Sequence, residues 1–153
     1  MTERLVHFLA GLHVPPVVLK PYPGWRLGSE AQLSNFPLWH RMILWELLKA
    51  PCVIEWFDGL RIYVYPGNET SRALFLTGVY EPNELYWLDK VLEPGKTFID
   101  IGANMGVYSL FAATKVGSCG LVVAIEPSGR DFERLRFHVK LNRLTNVYLL
   151  QVA

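Results

Sequence analysis

The chain has 153 residues, of which 51% are hydrophobic, and its formal net charge is +1. This composition is typical of a folded domain with a core and excludes a disordered chain. The near-zero charge gives no sign of a nucleic-acid or anionic-membrane partner, so neither is expected. Apolar runs are all shorter than the ~18 residues of a membrane span, and the N-terminus is a poor signal peptide. We therefore expect a cytoplasmic protein.

Cysteines and histidines show no spacing that is typical of a metal or redox site. Cys52 and Cys119 match no such motif, and we expect both to be reduced thiols, as is usual in the cytosol. The four histidines, His138 among them, have no mutual spacing for metal ligation, so we assign them structural or surface roles. No metal is predicted.

Residues 1–95 are predicted to form an accessory α/β region. A short helix is expected over residues 3–12, followed by an irregular, partly extended stretch that is rich in Pro and Gly. The stretch "SNFPLWHRMILWELLKAP" has a helix start and stop. Its apolar positions at helical spacing predict one buried face, formed by Leu38, Met42, Trp45 and Leu48.

A β-hairpin and two helices are expected next. The stretch "CVIEWFDGLRIYVYPG" contains two β-prone runs that are joined at Asp58-Gly59, a pair suited to a tight primed turn. One helix is predicted from about Glu69 to Leu76, where Gly78 ends it. Another is predicted from about Asn83 to Leu92, before a Pro-Gly pair.

From residue 97 the pattern changes to alternating strands and helices. The short apolar runs "TFIDI", "LVVAIE" and "NVYLLQVA" are separated by the helical stretches "GVYSLFAATKVG" and "SGRDFERLRFHVKLNRL". Ser128, with Asp131 three positions later, predicts a capped start for the second helix. This order is typical of a parallel, doubly wound sheet. We therefore predict an α/β protein whose residues 96–153 form an incomplete Rossmann-type domain.

The turn after the first strand is a candidate ligand site, because ligands of such sheets bind beyond the carboxyl ends of the strands. Gly102 and Gly106 allow positive φ or a close approach of the backbone to a ligand. Asn104 is a residue type that tolerates the left-handed conformation. Asp100, at the end of the strand, offers an acceptor to an amino group or an ordered water.

The second strand ends in Glu126, about 20 residues after the glycine pair, where a carboxylate is placed to accept both hydroxyls of a ribose. The glycine turn and this acid together predict a nucleoside-containing cofactor. The dinucleotide pattern G-x-G-x-x-G is not met, because Asn104 and Val107 stand where its second and third glycines would be. This disfavours NAD and FAD. The pattern D-x-G-x-N-x-G instead looks like motif I of S-adenosylmethionine-dependent methyltransferases.

A narrower resemblance covers about residues 78–153. The stretches "GKTFIDIGANMGVYSLFAA", "VVAIEPS", "LNRLTNVYLLQVA" and the upstream "TGVYEPNEL" resemble the FkbM family of methyltransferases. The resemblance implies a Rossmann-type (class I) methyltransferase sheet with S-adenosylmethionine as the cofactor. It also implies that four residues surround the methionine part of the cofactor: Asp100, Gly102, Asn104 and Gly106.

The same resemblance places Glu126 at the ribose hydroxyls. Glu81, Tyr108 and Ser109 match family positions near the cofactor. The implied reaction is methyl transfer to oxygen, on a hydroxyl of a sugar or secondary metabolite, so a small-molecule or glycan acceptor is expected. No catalytic residue is assigned.

The chain ends after the third predicted strand, so we expect an incomplete methyltransferase that binds the cofactor weakly and does not turn over. The edge of the first strand would then be uncovered, and such edges favour self-association. One alternative is a non-catalytic remnant that binds the cofactor or a partner. Another is a nucleotide-binding oxidoreductase, which the failed dinucleotide pattern disfavours.

Overall fold

The computed structural model describes residues 17–18 and 38–153, so the predicted helix over residues 3–12 lies outside the described residues. The described chain folds as two compact units. The first contains the residues up to Trp56 together with Tyr63–Val79. The second contains Phe57–Ile62 and Tyr80–Ala153.

The described part of the chain begins with three short strands and two helices: β1 (Val17–Val18), α1 (Leu38–Leu47), β2 (Cys52–Glu55), β3 (Arg61–Val64) and α2 (Glu69–Thr77). The strands form one sheet in the order β1-β2-β3, in which β1 and β2 are parallel. Asp58 and Gly59 have φ values of 52° and 77°, as a primed hairpin turn requires. The hairpin prediction is confirmed.

Helix α1 forms where it was predicted, but its buried face differs from the predicted one. Trp45 is buried, with its ring centroid 5.5 Å from that of Phe75, whereas Leu38 and Met42 are exposed. Arg41 is buried in their place, because its Nη1 donates a hydrogen bond of 3.1 Å to the carbonyl of Leu76. Carbonyls in the last turn of a helix lack intrahelical partners, so the last turn of α2 can satisfy a buried guanidinium.

The second unit contains three helices and a parallel sheet: α3 (Pro82–Val91), β4 (Thr97–Ile101), α4 (Val107–Val116), β5 (Leu121–Ile125), α5 (Gly129–Leu141) and β6 (Val147–Leu150). The strand order is β4-β5-β6. Both pairs of strands are parallel, and Asp100 pairs with Ala124 and Ile101 with Ile125. The predicted α/β fold class and the alternation of strands and helices are confirmed.

The core of this unit lies between α4 and one face of the sheet. Ala112, Ala113 and Val116 of α4 pack with Val122 of β5. Helix α5 begins as predicted, because the Ser128 hydroxyl accepts a hydrogen bond from the backbone N–H of Asp131 at 3.4 Å. Within the described residues, none of the helices combines the length and the apolar character needed to cross a bilayer.

Candidate functional site

Two neighbouring turns meet at the carboxyl ends of β4 and β5. Residues 102–106, here called the glycine turn, connect β4 to α4. Glu126 follows β5 directly. Because Ile101 and Ile125 are partners in the sheet, the strands end side by side, and the glycine turn lies next to Glu126. The parallel sheet thus brings the two sequence-predicted parts of the site together.

The glycine turn is tied to the end of β5 by three hydrogen bonds. The backbone N–H groups of Gly102 and Ala103 both donate to the carbonyl of Ile125, each at 2.9 Å. The next N–H, of Asn104, donates to Oε2 of Glu126 at 2.7 Å. The turn therefore has a fixed position relative to the Glu126 carboxylate.

The remaining two N–H groups of the glycine turn are bonded within the turn itself. The N–H of Met105 donates to Oδ1 of Asn104 at 2.7 Å, and the N–H of Gly106 donates to the carbonyl of Ala103 at 2.8 Å. All five backbone donors of residues 102–106 therefore have protein partners. The turn presents a shaped surface to a ligand, and its own N–H groups are already satisfied.

Three residues of the glycine turn adopt positive φ: Gly102 (80°), Asn104 (50°) and Gly106 (96°). This confirms the conformations expected from their residue types. The two glycines have different surroundings. A Cβ atom at Gly106 would lie 2.5 Å from Cδ1 of the buried Leu135, whereas a Cβ at Gly102 would meet no atom within 4 Å. A side chain at residue 106 would therefore force Leu135 to shift, whereas Gly102 faces open space.

Glu126 is 7% exposed, and its carboxylate accepts two backbone hydrogen bonds. Oε2 accepts from Asn104, and Oε1 accepts from the N–H of Ser128 at 2.8 Å. An ionised carboxylate has about four acceptor positions, so about two are left for a ligand. Two acceptor positions on one fixed carboxylate suit a pair of neighbouring hydroxyl groups.

Asp100 is buried beside the first turn of α4. Its Oδ2 accepts a hydrogen bond of 2.5 Å from the hydroxyl of Ser109, a residue that is fully buried. Burial raises the pKa of Asp100, and the charge of Glu126 raises it further, while the Ser109 hydrogen bonds oppose the shift. Ser109 was predicted to lie near the cofactor. In the structure its hydroxyl donates a hydrogen bond to Asp100.

Glu81 and Tyr108 form a third pair of predicted site residues. The Tyr108 hydroxyl donates a hydrogen bond to Oε2 of Glu81. Glu81 stands at the N-cap position of α3 with a φ of 47°, and its side chain makes no capping bond to that helix. Burial, and then the hydrogen bond to Glu81, raise the pKa of Tyr108. This pair fixes the ring of Tyr108 in the first turn of α4, immediately before Ser109.

The sequence predicts only a structural or surface role for His138, and the structure shows that it contacts the glycine turn. His138 of α5 is fully buried, and its Nδ1 lies 2.8 Å from the carbonyl oxygen of Met105. Burial lowers the pKa of His138 to about 4. The signal for its position was its spacing from Leu135 and Val139, which places all three on one face of α5.

No family model matches this chain. Over 70 residues it is 41% identical to a ribosomal RNA large subunit methyltransferase E of Chromohalobacter salexigens. The matched region covers 46% of this chain and 27% of that protein. The chain thus spans about a quarter of the length of this curated relative.

Two solved structures share the fold. TYW2 of M. jannaschii in complex with AdoMet has a TM-score of 0.52 at 18% identity, over 67% of this chain and 43% of that one. TYW2 of P. horikoshii in complex with MeSAdo has a TM-score of 0.51 at 20% identity, over 69% and 37% of the two chains. At these identities the likeness establishes the Rossmann-type fold.

The expectation of a small-molecule or glycan acceptor, with nucleic acid excluded, is wrong. The curated relative is named as a methyltransferase of ribosomal RNA, so nucleic acid belongs among the acceptor classes of similar proteins. The physical error lies in the use of net charge. A sum over 153 residues says nothing about how charge is distributed over a surface, and nucleic-acid binding depends on local clusters.

Replacing each glycine of the turn by alanine distinguishes the energetic cost of backbone strain from that of a steric clash. Both positions have positive φ, which costs an alanine about 1–2 kcal/mol. Only Gly106→Ala also pushes a Cβ against Leu135, so we expect it to lower the free energy of unfolding by about 1–3 kcal/mol more than Gly102→Ala. Urea denaturation of the two variants measures the difference. Equal losses would show that Leu135 does not constrain the turn.

The raised pKa of Asp100 predicts a stability that depends on pH. The folded state holds this proton more tightly than the unfolded state, so the favourable contribution is fully present below the unfolded pKa and is lost as pH rises through the folded pKa. Asn cannot ionise, and its amide oxygen can still accept from Ser109. We expect Asp100→Asn to raise the free energy of unfolding at pH 7 by about 1 kcal/mol.

Urea denaturation at pH 4 and pH 7 measures this effect, and the gain should shrink at the lower pH. The exposed acid Glu93 supplies the control, because Glu93→Gln changes one surface charge near Lys96 and should alter stability little. A destabilised Asp100→Asn variant at pH 7 would contradict the assigned cause.

Proposed function

We propose that the second unit binds S-adenosylmethionine and is the cofactor-binding part of an S-adenosylmethionine-dependent methyltransferase. The observation that carries the proposal is the Glu126 carboxylate, which two backbone N–H groups hold beside the glycine turn with acceptor positions to spare. In this proposal those positions receive the two ribose hydroxyls. The Rossmann-type fold, shared with proteins solved in complex with AdoMet and MeSAdo, supports it.

The hydrogen-bond partners of the glycine turn also favour this cofactor over a dinucleotide. Dinucleotide loops bind pyrophosphate with free backbone N–H groups at a helix start. In the glycine turn all five N–H groups already have protein partners. Beside the turn lie two carboxylate acceptors, Asp100 and Glu126, which suit a ligand that donates through hydroxyl and ammonium groups.

Five of the eight predicted site residues receive a direct role in this proposal. The methionine part lies along the open side of Gly102 and near Asp100, whose carboxylate faces the ammonium group. Glu126 binds the ribose, and the Tyr108–Glu81 pair borders the site at the first turn of α4. When bound, S-adenosylmethionine supplies an electrophilic methyl group; the protein's contribution is to orient it and to exclude water. The resemblance to the FkbM family supports the same roles.

We infer RNA as the acceptor class of this methyltransferase, because the curated relative is named for ribosomal RNA. A transfer assay tests this inference, using S-adenosylmethionine with a tritiated methyl group and purified bacterial ribosomal RNA. Label in the RNA supports the RNA acceptor and contradicts the expectation of no turnover. Bound cofactor without any transfer contradicts the RNA acceptor for this chain and favours the non-catalytic alternative.

Calorimetric titration of the purified chain with S-adenosylmethionine tests the cofactor. We expect saturable binding, and at least about tenfold weaker binding by Glu126→Gln, which corresponds to ~1.4 kcal/mol. The reason is that the Gln amide directs a donor at groups that need an acceptor, whether Asn104, Ser128 or the ribose. Glu133→Gln is the matched control, because Glu133 is an exposed acid of α5 that pairs with Arg136.

Titration with NAD tests the alternative that the chain is a nucleotide-binding oxidoreductase. We expect no saturable binding of NAD at concentrations that saturate the S-adenosylmethionine site. Binding of NAD in preference to S-adenosylmethionine, or no binding of S-adenosylmethionine by the wild-type chain, would refute the proposed function.

A further inference from the structure

The glycine turn is supported from a second side by α5. The end of β5 holds the N–H groups of Gly102, Ala103 and Asn104. Helix α5 contacts the other end of the turn, where His138 binds the carbonyl of Met105. Leu135, one turn earlier on the same face, occupies the space where a side chain at residue 106 would lie.

The chemistry of this contact fixes the state of the imidazole. A carbonyl oxygen can only accept, so the nitrogen that faces Met105 must carry a proton, and Nδ1 is the donor. Burial disfavours the charged ring, and the nearby Arg134 disfavours it further. At neutral pH, His138 is therefore a neutral imidazole with its proton on Nδ1.

We propose that His138 is a positioning residue. It acts through the carbonyl of Met105 and so helps to place the groups that bind the cofactor. The proposal rests on the proposed function of the site. The Nδ1–H bond fixes the plane of the peptide group between Met105 and Gly106. The same peptide group contains the N–H of Gly106, which donates to the carbonyl of Ala103 at 2.8 Å. That carbonyl shares a peptide group with the N–H of Asn104, which donates to Glu126. The plane fixed by His138 is therefore coupled to the ribose-binding carboxylate through two hydrogen bonds.

The burial of the contact explains why a polar residue stands on the packed face of α5. Met105 and His138 are both fully buried, so a carbonyl that loses its donor here pays a desolvation penalty. The turn can avoid that penalty by rotating the peptide group. Such a rotation would break the hydrogen bond from Gly106 to the Ala103 carbonyl and would displace the peptide group that carries the N–H of Asn104. Loss of the donor is therefore expected to weaken cofactor binding, in addition to any loss of stability.

Three variants separate positioning from packing. His138→Leu introduces an apolar side chain that can fill much of the same space but has no hydrogen-bond donor. His138→Asn carries an amide nitrogen at the same number of bonds from Cβ as Nδ1, so it can restore the bond. Val139→Ala, at the neighbouring buried position of α5, removes packing but leaves the donor of the His138–Met105 bond in place. Calorimetric titration with S-adenosylmethionine and urea denaturation are measured on each.

We expect His138→Leu to bind S-adenosylmethionine at least about tenfold more weakly than wild type. His138→Asn should recover most of this loss, and Val139→Ala should be destabilised with unchanged affinity. Wild-type affinity in His138→Leu, or failure of a folded His138→Asn to recover binding, would overturn the proposal. Failure of the wild-type chain to bind S-adenosylmethionine would instead overturn the proposed function.

A measurement on the wild-type chain keeps the proposal testable where His138→Leu does not fold. Nitrogen-15 NMR of labelled histidine reports which ring nitrogen carries the proton. We expect a protonated Nδ1 whose proton exchanges slowly with water, and more slowly once S-adenosylmethionine is bound. An unprotonated Nδ1, or an exchange rate that saturating cofactor leaves unchanged, would overturn the role assigned to His138.

Discussion

The candidate site depends on the position of one carboxylate. Glu126 accepts backbone hydrogen bonds from Asn104 and from Ser128, so it joins the glycine turn to the residue that caps α5. Charge-assisted bonds of this kind are stronger than neutral ones. Because β4 and β5 are parallel and in register, both turns lie at the same edge of the sheet. The carboxylate therefore fixes the relative position of the two turns that a ligand would contact.

The backbone N–H groups of the glycine turn already have protein partners, and this determines which ligands the site suits. A loop with free N–H groups attracts anions, whereas this turn uses its donors on Ile125, Glu126 and its own residues. Buried acceptors are left, and burial makes the ionised form of Asp100 costly even though Ser109 donates a hydrogen bond to it. A ligand with hydroxyl and ammonium donors relieves that cost. The site thus gains stability from the kind of ligand that it would bind.

The sequence predicts the fold of the second unit well, because its signals are local. Apolar runs, glycines and a capping serine gave the strands and helices, and residue types gave the positive φ values of the turn. The hydrogen-bond partners of the site residues were not predictable. Whether Ser109 faces a ligand or Asp100, and whether Glu81 caps its own helix or binds Tyr108, depends on tertiary packing. The same holds for the buried His138.

The sheet is covered unequally, and the site lies on its covered side. Ile99, Ile101 and Tyr148 are 58%, 81% and 59% exposed, although strands that read as apolar throughout are typical of sheets buried on both faces. Asp100 alternates with these isoleucines and so points toward α4, where Ser109 holds it. Among the described residues, the contacts that orient Asp100, Glu126 and the glycine turn come from the second unit. The backbone and side-chain hydrogen bonds of this unit therefore set the geometry of the acceptors.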